Sequence, residues 1–173
     1  YKGLDLLFRQ AKILSSDRDG ELYYYHALAE FNKGNLTNAE KFLQGAVERG
    51  HSSPDIDYMT GKIYFFRSQY KHALDRFKKL PDDYLNSAEL ESFMGQCFFY
   101  LKDYNATIDF LKKFLADSKG GDIKSITNIE YMLGCAYEST GDLDSALKLW
   151  KTIESHASYF KPGQYYQIIN RDK

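Results

Sequence analysis

Four segments of this chain lie over one another at a near-constant spacing, and that spacing narrows the possible folds more than any other feature. They are Leu36-Thr37-Asn38-Ala39, Tyr70-Lys71-His72-Ala73, Tyr104-Asn105-Ala106-Thr107 and Leu143-Asp144-Ser145-Ala146, whose first residues stand 34, 34 and 39 positions apart. Each opens a stretch with apolar residues at three- and four-residue intervals. The fourth reads Leu143, Ala146, Leu147, Trp150 and Ile153; the second reads Tyr70, Ala73, Leu74, Phe77 and Leu80. Such intervals place one apolar stripe along one face of a helix. Recurrence in one phase marks each helix as part of a unit that buries its stripe against its neighbours.

A second helix is expected upstream of each segment. Its marker is a small residue, Ala27, Gly61, Gly95 and Gly134, at the same 34, 34 and 39 spacing. Three positions on, an aromatic ring follows in three of the four: Tyr64, Phe98 and Tyr137. Glycine inside a helix costs about 1 kcal/mol against alanine, so a neighbouring helix is expected to approach closely there. The turns between the paired helices carry Lys33-Gly34-Asn35, Arg67-Ser68-Gln69, Leu101-Lys102-Asp103 and Thr140-Gly141-Asp142. Two of these offer glycine where a helix C-cap needs a left-handed residue.

A period of 34, a small residue and then a ring in the first helix, and an early alanine in the second resemble the tetratricopeptide repeat. Gly134, Tyr137, Gly141 and Ala146 carry the resemblance most closely. It implies an all-α, right-handed superhelical solenoid of antiparallel helix pairs. About four full repeats are expected, at residues 21–50, 55–81, 87–117 and 123–155, within a single repeat domain spanning 1–173. There are departures. The large aromatic expected early in the first helix is Tyr23 in the first repeat but Asp57, Glu91 and Glu130 in the others. Glu30 stands where the first repeat should have its ring, and Thr107 replaces an alanine.

Residues 1–14 read as the second helix of a preceding repeat, and Pro162 as the start of a terminal helix over 162–170. With an apolar stretch at one end and tyrosines at the other, and with Tyr1 in place of Met, the chain reads as a slice of a longer array. Pro81 is expected to end its helix early, followed by an extended connection from Pro81 to Leu85. Five extra residues near Ser118–Asp122 read as a spacer that changes the local superhelix angle or, as the alternative, a partner-contacting loop.

The totals exclude several functions. With 23 basic against 24 acidic residues and no basic stripe, nucleic acid is a poor partner. No apolar run approaches a membrane span. Cys97 and Cys135 have no metal-ligand spacing, and read as buried or half-buried free thiols, which leans towards a reducing compartment. His26, His51, His72 and His156 are scattered, there is no glycine-rich phosphate loop, and no serine sits in a nucleophile-elbow pattern. The expectation is a non-enzymatic chain without cofactors or metal, in the cytoplasm or, as the alternative, the bacterial periplasm or cell envelope.

In the family resembled, first helices line a concave groove that holds a segment of another protein. Removing the core stripes leaves in-phase rows for that groove: Tyr24, Tyr58, Ser92 and Tyr131; Leu28, Lys62, Gln96 and Cys135; Phe31, Phe65, Phe99 and Glu138. A fourth row, Glu21, Asp55, Glu89 and Asn128, makes an acidic edge. The candidate site is therefore Tyr24, Leu28, Phe31, Tyr58, Lys62, Phe65, Gln96, Phe99 and Tyr131. Lys62 is the one cation near its middle, so a clamp for a terminal carboxylate is not expected. Rings offer rigid contact area, and Tyr adds a hydroxyl. An extended peptide or an amphipathic helix with some basic residues fits better. The alternative is a structural solenoid segment, its exposed rings serving homo-oligomerisation or assembly in a larger complex.

Overall fold

The computed structural model describes residues 19–84, 87–117 and 122–157. The expected helices over 1–14 and 162–170, and most of the spacer, lie outside the described residues. Among those described there are eight α-helices and no strand. They are α1 (Asp19–Asn32), α2 (Leu36–Glu48), α3 (Pro54–Phe66), α4 (Tyr70–Phe77), α5 (Ser87–Tyr100), α6 (Tyr104–Asp117), α7 (Ile123–Thr140) and α8 (Leu143–His156). The chain divides into two compact units, residues 1–84 and 85–173, the first carrying α1–α4 and the second α5–α8. Each unit holds two helix pairs. The fold is an all-α helical repeat.

One contact recurs in every pair and explains the small residue. A Cβ added at Gly61 would stand 2.4 Å from the Phe77 ring, one at Gly95 2.3 Å from Leu111, and one at Gly134 2.2 Å from the Trp150 indole. Each glycine thus receives the large side chain sixteen residues on, directly against helix backbone. In the first pair Ala27 takes this place, packed in one cluster with Leu43. The early positions of the second helices, Ala39, Ala73, Thr107 and Ala146, have no exposed surface. Thr107 fits because its hydroxyl donates to the Asp103 carbonyl at 2.8 Å, satisfying a polar group that burial would otherwise penalise.

The four turns are also copies, more closely than their residues suggest. In each, the left-handed residue and its successor donate back into the preceding helix: Gly34 to Phe31 and Asn35 to Glu30, Ser68 to Phe65 and Gln69 to Tyr64, Lys102 to Phe99 and Asp103 to Phe98, Gly141 to Glu138 and Asp142 to Tyr137. Gly34 and Gly141 have φ of 83° and 86°, yet Ser68 and Lys102 hold the same region at 59° and 63°. A side chain there is strained by about 1–2 kcal/mol.

The departures from the repeat pattern have local solutions. Glu30, in place of a ring, accepts from Lys33 Nζ at 2.8 Å and Asn35 Nδ2 at 2.9 Å. The Lys33 and Asn35 hydrogen bonds hold its carboxyl down at about 2. Tyr23 lies under the Arg49 guanidinium, 3.8 Å from the ring centroid. Where carboxylates replace that ring, Asp57 meets Arg76 at 3.0 Å and Glu130 meets His156 at 2.9 Å. Burial pushes the Glu91 and Glu130 carboxyls up; Asp117 adds to the rise at Glu91, and His156 opposes it at Glu130.

Pro81 does bring α4 to an early end, at Phe77. The connection is not extended, however: Tyr84 N–H bonds back to the Pro81 carbonyl at 3.1 Å, closing a turn that folds the Tyr84 ring inwards.

Candidate functional site

In the first unit, the candidate side chains come from α1 and α3. Tyr24, Leu28 and Phe31 follow one another at helical spacing along α1, half-buried and packed on the cluster of Ala27, Ala39, Leu43, Met59 and Ile63. Their inner edges belong to the core and their outer edges face solvent. Lys62 rises from α3 with its amine 5.4 Å from the Phe31 ring centroid and 5.1 Å from that of Tyr58. The ammonium thus rests on aromatic faces. Phe65 is half-buried and meets Tyr70 edge to face at 5.8 Å.

Tyr58 behaves differently from its row. It is 7% exposed, with its ring 6.1 Å from Phe77 and 5.2 Å from Tyr84. The turn after Pro81 supplies Tyr84 as a lid, and the Tyr84 hydroxyl donates to Asp55 at 2.5 Å. What Tyr58 offers a ligand is therefore its hold on Lys62 rather than an open ring. Asp55 also acts on Tyr24, whose phenol is raised to about 12, chiefly by burial and secondly by that carboxylate.

In the second unit, Gln96 is half-buried and donates to Ser92 Oγ at 3.1 Å, so part of its amide is spent inside α5. Phe99 is half-buried, its ring 5.8 Å from Tyr100 and 6.2 Å from Tyr104. Tyr131 is packed on the cluster of Ala146, Trp150, Ile153 and Ala157. The first unit therefore brings Tyr24, Leu28, Phe31, Lys62 and Phe65 to one face, while the second brings Gln96, Phe99 and Tyr131 to its own first helices.

Two features lie outside the in-phase rows. Phe66, one residue beyond a groove position, is 55% exposed and lies 5.8 Å from Phe31. An opening also lies between α2 and α3, where Val47 is 54% exposed. Both signals are present in the residues: two successive phenylalanines cannot both face the core of a helix pair, and Glu40 and Thr60 stand where the second unit has Ile108 and Leu133.

Among the described residues no group of three or more His, Cys, Asp or Glu could hold a metal, and no helix is long and apolar enough to cross a membrane. Cys97 and Cys135 are free thiols, buried and half-buried, and burial pushes Cys97 up to about 12. A thiol so raised is a poor nucleophile.

No family model matches the chain. It is similar to Superkiller complex protein 3 of Homo sapiens, 25% identical over 175 residues, and to Tetratricopeptide repeat protein 37 of Xenopus laevis, 22% identical over 174 residues. Each match covers 91% of this chain but only 11% of the relative, so the chain spans about a tenth of the length of these curated relatives. Among solved structures it resembles YrrB, described as a TPR protein with an unusual peptide-binding site. That superposition has a TM-score of 0.71 at 20% identity and covers 87% of this chain and 75% of YrrB. It is a likeness of fold.

Proposed function

The chain is a tetratricopeptide-repeat protein, and on that premise we propose that it is a non-catalytic scaffold that holds a segment of another protein. The face made by Tyr24, Leu28, Phe31, Lys62 and Phe65 is the proposed grip in the first unit; Gln96, Phe99 and Tyr131 are the candidate contact residues of the second unit, taken by itself. The observation that carries this reading is the Lys62 ammonium resting on the Phe31 and Tyr58 rings beside half-open aromatic edges. Rigid rings lose little entropy on contact, which is why such residues dominate binding energies at protein interfaces. The glutamate and aspartate edge at Glu21 and Asp55 suits a peptide or amphipathic helix carrying basic residues. The free thiols suit a reducing compartment, the cytoplasm.

The test is affinity capture with the intact chain and with a Leu28→Glu, Phe65→Ala variant, helicity being checked by circular dichroism. The reading requires a partner captured by the first and lost, at least tenfold, by the folded second. Equal capture by both would remove the face from consideration.

A second reading draws on the human relative's name, which places that protein in a complex. This chain would then be a stretch of solenoid within a larger assembly. Light scattering separates the two: concentration-dependent self-assembly abolished by Phe66→Ser favours assembly, and a monomer at all concentrations favours the grip.

A further inference from the structure

The joint between α2 and α3, where the first helix pair of unit one meets the second, contains two adjoining openings of about 310 Å³ each. They share Val47, Ile56 and Arg76 as lining. On α3 the openings are lined by Ile56, Asp57, Thr60 and Tyr64, and not by Lys62 and Phe65 of the Tyr24–Phe65 face. In unit two the matching positions of the joint between α6 and α7 are packed, and the opening at that joint lies beyond them, lined by Tyr104, Asn105, Ser139 and Thr140. Leu111, Ile129 and Leu133 form a buried cluster, with Ile108, Leu115 and Leu149 packed on it.

The repeat phase says why. Ile108, Leu115, Leu133 and Leu149 correspond to Glu40, Val47, Thr60 and Arg76. Three large aliphatic side chains become polar, and the fourth loses a methylene. Leu43 and Ile56, matching Leu111 and Ile129, remain as an apolar floor. A dry cavity of about 150 Å³ already admits benzene, so each opening has room for one aliphatic or aromatic side chain.

The rim settles the charge. Glu40 is paired with Arg67 at 2.7 Å, and Asp57 with Arg76 at 3.0 Å. That leaves Lys79, exposed at the edge of the second opening, without an ion pair among the described residues. We infer that this joint is a docking pocket for a partner polypeptide that inserts one bulky apolar side chain flanked by carboxylates. The apolar side chain replaces the atoms that Ile108, Leu115 and Leu133 supply in unit two, and a flanking carboxylate pairs with Lys79.

The test is a methyl NMR titration of the 173-residue chain. The probe is a capped pentapeptide with one leucine flanked by glutamates, compared with versions having alanine for the leucine or lysines for the glutamates. The leucine–glutamate peptide should shift the Leu43, Val47 and Ile56 methyl signals saturably. The alanine and lysine versions should bind at least tenfold more weakly. Thr60→Leu should abolish the shifts while raising the melting temperature, and Lys79→Glu should turn the preference towards the lysine peptide. Lys62→Glu, on the other face, should leave the titration unchanged, so this pocket and the aromatic grip fail or stand separately. Methyl signals unmoved at millimolar peptide, equal binding of the lysine version, or undiminished binding by Thr60→Leu would each overturn the inference.

Discussion

The α2–α3 joint of unit one and the α6–α7 joint of unit two are made from equivalent positions, yet where Glu40 and Thr60 leave the first open, Ile108 and Leu133 pack the second. The difference lies in four side chains and leaves the helix pairs themselves untouched. Within each pair, Gly61 against Phe77 and Gly134 against Trp150 are the same contact. A helical repeat therefore separates two tasks: contacts inside a pair keep the fold, whereas contacts between pairs can be relaxed without losing it. Relaxing them leaves apolar surface such as Val47 in water, a local cost of order 25 cal/mol for each Å² left uncovered. The open joint is thus where this molecule has surface to spare for a partner.

That division of tasks can be broken from either side. The largest effect should come from Gly134→Leu, which forces bulk into the Trp150 contact that both units share in kind. Unfolding in urea should show a loss of about 3 kcal/mol, the upper end for overpacking. Next is Leu133→Thr, which gives the packed joint the residue found in the open one. A buried leucine exchanged for a smaller polar residue should cost about 2–3 kcal/mol by the same measurement, whereas Thr60→Ala in the open joint should cost well under half of that.

A smaller effect is expected at Glu30, the carboxylate that replaces a ring in the first turn. Its carboxyl is held down at about 2, so its stabilisation is fully present above the ordinary value near 4.5 and is lost as pH falls towards 2. Glu30→Gln should lower stability at pH 7 by about 1–2 kcal/mol, the worth of hydrogen bonds to a charged group. It should also remove that part of the acid dependence, read as a melting temperature against pH. Smallest should be Ser68→Gly and Lys102→Gly. Each should add about 0.5–1 kcal/mol, because the left-handed turn then costs no strain but the unfolded chain gains freedom. No gain at either turn would mean that the strain has been absorbed elsewhere.

Much of this was legible in the residues. The phase of Ala27, Gly61, Gly95 and Gly134 with Leu43, Phe77, Leu111 and Trp150 carried the helix pairs, since tight contact between helices leaves room for only small residues on one side. The early end of α4 followed from Pro81. The left-handed Ser68 and Lys102 were less visible, because neither side chain advertises that conformation and only their register with Gly34 and Gly141 does. The row phase makes Tyr58 a groove ring, but the connection after Pro81 turns back and lays Tyr84 over it, a tertiary event with no periodic trace. The open joint has no signal in Glu40 and Thr60 taken singly, which look like ordinary exposed positions. Only against Ile108 and Leu133 do they become missing core.

The central claim is that unit one has the same joint as unit two with side chains taken out of it. Thr60→Leu restores one of them, so its unfolding free energy is the most direct measurement. A well-filled cavity of this kind should raise stability, by about 1 kcal/mol. A loss of stability comparable to that of Leu133→Thr would mean that the joint was already packed around threonine, and the contrast between the units would not stand.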